Sequence, residues 1–182
     1  MSNGNVELVR RHYESWNTGD TRGVIAAFAP DVEWHGHPRL PEPGPYRSRS
    51  DVERWMAQFR EAWDALEARP IELLDAGDSV VALVHMIGRG RGSGVEVQGG
   101  LDVHAMTLGA DGITYFQIFP GDIAAGRAGL TELEMDVLIL RVASELAPPE
   151  IADRLDVEGE EVEEILAGAF EKLRRLPVKE TT

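Results

Sequence analysis

Apolar side chains in residues 5–16 recur at Val6, Leu8, Val9, Tyr13 and Trp16, the three-to-four spacing of a helix with one buried face. NTGD closes that helix, and Asp20 or Thr21 caps a second, TRGVIAAF, which Pro30 ends. DVEWH alternates as a short strand. The run HPRLPEPGPYRS excludes helix, because each proline removes an N–H donor. From Ser50 or Asp51 the helical spacing returns over DVERWMAQFREAWDAL, placing Val52, Trp55, Met56, Phe59 and Trp63 on one side.

Beyond Pro70 the period drops to two. IELLDAG, SVVALVHMIGRGRG, GVEVQGGLDVHAMTL and GITYFQIFP predict four strands, with hairpin turns at 75–78 and 109–112. GRGRGSG at 88–94 opens no helix, so it reads as a hairpin tip rather than a phosphate cradle. Helices followed by a strand meander predict an α+β fold, with helices on one face of a curved antiparallel sheet. GDIAAGRAG then links to a helical tail. There Thr131 caps ELEMDVLILRVASEL, Pro148 and Pro149 open PPEIADRL, and a last helix runs from about Gly159 to Leu176. The chain divides at 1–129 and 130–182. So short a three-helix module holds too little core to stand alone, so it is expected to pack on the first domain or on a partner.

Composition narrows the function classes. The chain has no cysteine, which excludes disulfides and thiolate metal sites. No apolar run reaches the about 18 residues a membrane crossing requires, and the N-terminus lacks the apolar core of a signal peptide; a cytoplasmic protein is expected. The net charge of −14 is uneven: 12 basic against 18 acidic residues in 1–129, but 5 against 13 in 130–176. An acidic field of that density repels phosphate backbones, so DNA is not an expected partner.

The segments YESWNTGD, VIAAFAPDVEWH, PYRSRSDVERWM, IELLDAGDSVVALV and DGITYFQIF, in that order, resemble the SnoaL-like branch of the ketosteroid isomerase and nuclear-transport-factor-2-like superfamily. The resemblance implies a cone of helices wrapped by a strongly bent sheet around a deep apolar pocket, and homodimerisation through the open sheet face. It also implies a small hydrophobic molecule as ligand, and either plain binding or cyclase- or isomerase-type acid–base chemistry without a cofactor. In ketosteroid isomerases a strand Asp removes a proton while a Tyr and a protonated Asp stabilise the oxyanion. Counted from the shared turns, the Tyr position falls on His12 and the second Asp position on His104. The base position falls near Gly36, between His35 and His37. No carboxylate stands there, so the isomerase set is absent.

What remains is a candidate catalytic group of His104, Asp102, His12, His35 and His37, since imidazole titrates near neutral pH and a carboxylate two residues away fixes its tautomer. The other role for the same residues is structural hydrogen bonding. Trp16, Trp34, Trp55, Phe59, Met106 and Phe116 are the expected apolar lining. Zinc on His35 and His37 with His85 or His104 lacks any supporting ligand spacing, and no metal is expected.

The tail pieces LTELEMDVL and EIADRL resemble the LuxR-type helix-turn-helix, which suggests the alternative of a ligand-responsive transcription regulator. The helix that would enter the major groove presents Glu160, Glu161, Glu163 and Glu164, with no Lys or Arg before Lys172. Against DNA these carboxylates repel, so the tail reads as a degenerate helix-turn-helix module.

Overall fold

The computed structural model describes residues 2–176, so the final positions assigned to the tail, 177–182, lie outside the described residues. In chain order the elements are α1 (Ser2–Thr18), α2 (Thr21–Ala26), β1 (Phe28–His35), α3 (Arg49–Glu61), β2 (Trp63–Asp75), β3 (Ser79–Gly90), β4 (Glu96–Gly109), β5 (Gly112–Pro120), α4 (Gly121–Ala128), α5 (Glu132–Val142), α6 (Pro148–Leu155) and α7 (Gly159–Leu173). The five strands form one curved sheet in the order β1-β5-β4-β3-β2, as the α+β reading expected. One edge departs from the antiparallel pattern: β1 runs parallel to β5. Hairpin partners must alternate in direction, but β1 and β5 are joined through the whole meander, so no turn sets their sense.

Several predicted boundaries move. The second helix ends at Ala26, and Phe28 and Pro30, read as its last turn and its stop, lie in β1. The third helix starts earlier, capped by Ser48, whose hydroxyl accepts from the Asp51 amide at 3.1 Å. It also ends at Glu61 rather than running through residue 66, because Trp63 to Leu66 satisfy their backbone against β3, with Leu66 opposite Gly88. Trp63 keeps the side of the molecule predicted for it, but β2 carries it. The presumed linker GDIAAGRAG is itself a helix, α4, closed by Gly129 in the left-handed conformation. Too short to show a period, it is held by Ala124 packed against the sheet.

Both faces of the sheet are buried. Along β3, Val80, Ala82 and Val84 face α1–α3, where Val9, Tyr13, Val24, Val52 and Phe116 complete one core. Val81 and Leu83 face the other way and join Leu101, Val103 and Phe119 against Val137, Leu138, Ile151, Val162 and Leu166 of the tail. Ion pairs tie the tail down: Arg141 donates through Nε and Nη2 to Glu72 Oε1 at 3.1 and 2.8 Å, and Arg69 Nη1 meets Glu145 at 3.0 Å. The face on which the homodimer expectation rested is therefore covered by the chain's own helices.

The α6–α7 turn is tight, with Asp156 at φ 56°. On α7, Val162, Leu166 and Leu173 are buried while Glu160, Glu161, Glu163 and Glu164 are exposed. Among the described residues no helix is long and apolar enough to cross a membrane.

Candidate functional site

Helices α1 and α3 and the inner face of the sheet enclose a pocket of about 230 Å³, closed on one side by the loop that carries His37 and Leu40. Its walls follow from local periodicity. On α1, His12, Tyr13 and Trp16 share the face that packs inward. On α3, Trp55 and Phe59 lie one turn apart and stack with ring centroids 4.7 Å apart; Trp34 joins at 4.3 Å from Trp55, and Trp63 extends the row 6.0 Å beyond Phe59. The result is a continuous aromatic wall of stacked and tilted rings.

The polar groups come from β4, where Asp102 and His104 point inward by strand parity. His104 Nδ1 lies 2.8 Å from the hydroxyl of Tyr13. Burial drives the His104 imidazole down to about 3, and nearby His12 and His37 push it further the same way. His12 is driven down to about 4 by burial, opposed by a backbone hydrogen bond at Val24. Both rings are neutral at physiological pH. Burial has the opposite effect on Asp102, raising its carboxyl from 3.8 to about 6, partly offset by the charge of Arg39. Burial, and then the Asp102 charge, raise the Tyr13 phenol well above its ordinary value, so it stays protonated. His37 Nε2 stands 3.7 Å from Asp102 Oδ1, too far for a hydrogen bond, and burial pushes His37 downward.

Four pocket-lining side chains leave a buried nitrogen unpartnered: His12 Nδ1, Trp16 Nε1, Trp63 Nε1 and His104 Nε2. Each such group costs about 1–3 kcal/mol when unsatisfied.

Of the candidates, His104, Asp102, His12 and His37 come together in the pocket, as do Trp16, Trp34, Trp55, Phe59 and Phe116. His35 does not. It lies in a separate groove of about 260 Å³ with Gln117 and Arg127, and its Nε2 meets Glu33 at 2.8 Å. Met106 sits one inward step beyond His104 and is fully buried in the core beneath the pocket. His85 faces the tail, where its Nδ1 lies 3.2 Å from Glu145; the four histidines weighed for zinc are thus dispersed. Among the described residues no three His, Asp or Glu side chains converge on a common point as metal ligands would.

The expected catalytic group and lining leave out several residues that the pocket contains, among them the polar-tipped Tyr13 and Trp63. Tyr13 is legible in the sequence only as a member of the α1 apolar stripe, and counting from the turn points one residue short of it. Trp63 is legible as one of four tryptophans able to stack on a ligand, but the sequence assigns it to the helix rather than to β2.

A family model described as the SnoaL-like domain matches residues 9–118. No curated protein matches the chain. Among solved structures, a nuclear-transport-factor-2-like protein of Burkholderia thailandensis is 28% identical, covering 63% of this chain and 88% of its own, with a TM-score of 0.58. A second such protein, of unknown function, from Burkholderia pseudomallei is 24% identical over 76% of this chain and 98% of its own, with a TM-score of 0.59. TerC, crystallised with polyporic acid, is 21% identical over 67% and 95%, with a TM-score of 0.57. The last two likenesses are of fold alone.

Proposed function

The chain belongs to the SnoaL-like domain family, and from that premise we propose that it binds a small hydrophobic ketone in this pocket and moves a proton on the carbon beside the carbonyl. This is the acid–base step on which cyclases and isomerases of this type rest. The observation that carries the reading is Asp102: a carboxylate inside an aromatic pocket, lifted by burial to about 6, where a base is strong enough to act yet still ionised near neutral pH.

For the β4 pair we favour other roles than a His104 base oriented by Asp102. His104, held near 3, is too weak a base to take a carbon-bound proton. With the Tyr13 hydroxyl as the donor to His104 Nδ1, the imidazole proton sits on Nε2, one of the four unpartnered nitrogens on the pocket-lining side chains. Asp102 then removes the proton next to the carbonyl, the electron pair moves onto the carbonyl oxygen, and His104 Nε2–H donates to the oxygen as it becomes negative. The step requires no cofactor beyond these side chains. His12 supports the site as a neutral ring against Phe28 and Phe116 rather than as a proton carrier.

The test is hydrogen–deuterium exchange at the α-carbons of 2-tetralone in D₂O, followed by proton NMR. Wild-type protein accelerates exchange over buffer, and Asp102→Asn loses that acceleration while still binding the ketone. Binding without acceleration by the wild type would overturn the reading.

The alternative, a ligand-responsive regulator, draws support from the helix order of α5–α7 and their tight turn. The exposed carboxylates of α7 oppose it, because that helix would have to enter the groove.

A further inference from the structure

Two of the unpartnered nitrogens do not belong to the reacting end of the pocket. On β3, Ala82 pairs with His104, and six residues further along Gly88 pairs with Leu66 of β2. At that far level the Trp63 ring lies against Gly88, so close that a Cβ there would meet Trp63 Cζ3 at 2.5 Å. Trp16 stands one helical turn beyond His12 and Tyr13, and Asn17 beside it is bonded both ways to the backbone of Ala68, at 2.9 Å each. The Arg60 guanidinium covers the Trp16 ring at 4.7 Å and donates to the Trp16 carbonyl at 2.9 Å. Both indoles are thus fixed in place, and both keep a buried N–H with no acceptor.

An indole has one donor and no acceptor, and buried donors in folded proteins are almost always paired. Nothing in the aromatic wall can accept from either, so the acceptor is expected to come from the ligand. We propose that Trp16 and Trp63 form an acceptor-recognising subsite that grips the substrate by a second oxygen, at the end remote from its reacting carbonyl. Which end reacts rests on the reading of Asp102 and His104 given above.

Shape narrows the class further. The row Trp34, Trp55, Phe59 and Trp63 offers aromatic edges and faces along one wall, which favours an aromatic, conjugated ligand that can stack or pack edge-to-face there. A cavity near 150 Å³ holds a single benzene ring, and pockets for drug-sized molecules begin near 300 Å³. At about 230 Å³ this pocket suits two or three fused rings. The substrate class is therefore a two- or three-ring conjugated ketone with an ether, hydroxyl or second carbonyl oxygen at its far end.

The test compares 6-methoxy-2-tetralone, which carries such an oxygen, with 2-tetralone, which does not, by calorimetric titration of the full chain. Wild-type protein binds the methoxy compound more tightly by roughly 3- to 10-fold, the value of one or two hydrogen bonds. Trp16→Phe and Trp63→Phe, which keep an aromatic ring but remove the donor, each reduce that preference, read as the ratio of the two affinities so that packing lost equally by both ligands cancels. A wild type that does not distinguish the two compounds overturns the proposal. So do variants that weaken both ligands equally, since the rings would then only pack. A measurement free of substitution uses the indole ¹H–¹⁵N resonances: two of them move downfield with the methoxy compound and not with 2-tetralone, and their failure to move counts against the subsite. Binding preference is independent of turnover, so a preference without α-proton exchange would remove the Asp102 reading and leave the subsite standing.

Discussion

Replacing Asp102 with Asn separates what the site needs from what the fold needs. Burial lifts this carboxyl from 3.8 to about 6, a shift of roughly two units, and each unit corresponds to about 1.4 kcal/mol. The sign follows from proton counts. Below pH 3.8 the acid is protonated folded and unfolded, and contributes nothing. Between there and about 6 the folded state holds a proton that the unfolded state releases, so stability falls as pH rises; above 6 the penalty is complete, at up to about 3 kcal/mol. An amide carries no charge to desolvate. At pH 8 the variant is therefore expected to be more stable than wild type by up to about 3 kcal/mol, or about 6–12 °C in melting temperature for a chain of this size. The difference shrinks toward zero by about pH 4. His12 and His104 titrate equally in both proteins, so their effects cancel in the comparison. Urea denaturation at pH 8, 6 and 4 measures the gap. An Asp102→Asn variant less stable than wild type at pH 8, or a gap independent of pH, would show that the ionised carboxylate is favourably bonded and refute its assignment as a strained base.

The buried histidines make the opposite pH prediction. Their folded values are lowered to about 4 and 3, so the stability they confer is complete above 6.5 and is lost as pH falls through those values; His104→Gln should flatten the slope of stability between pH 6 and 4 by up to about 1.4 kcal/mol per unit, and identical slopes would refute it. Truncation before Gly121 uncovers Val81, Leu83, Leu101, Val103 and Phe119, so the shortened chain should self-associate in light scattering at concentrations where the full chain does not grow in mass. On α7, changing Glu160, Glu161, Glu163 and Glu164 together to Lys should create salt-sensitive duplex binding that the unmodified chain lacks at ordinary ionic strength. Operator binding by the unmodified chain would overturn the charge argument.

Much was legible because it depends on period alone. The run SVVALVH was legible as a strand, although its burial on both faces was not read from it, and Thr131 was legible as the cap of a helix whose start the structure closes as a capping box with Glu134. Parity also placed Asp102 and His104 on one face before any contact was known. The covering of the outer sheet face was foreseen only as a choice between the first domain and a partner, since apolar surface on a helix does not name what buries it.

The rest was decided in three dimensions. His35 and His37 differ by where β1 ends and its loop begins, which pairing with β5 and the bridge from Trp34 to Tyr46 determine. Tyr13 rather than His12 meets His104 because α1 rolls on the sheet through an angle that counting residues cannot supply. Above all, which of Asp102 and His104 is the stronger base depends on how much water each loses, and that is a sum over side chains brought from α1, α3 and the neighbouring strands. A local pattern specifies which atoms lie on a face; the dielectric around them belongs to the packed whole.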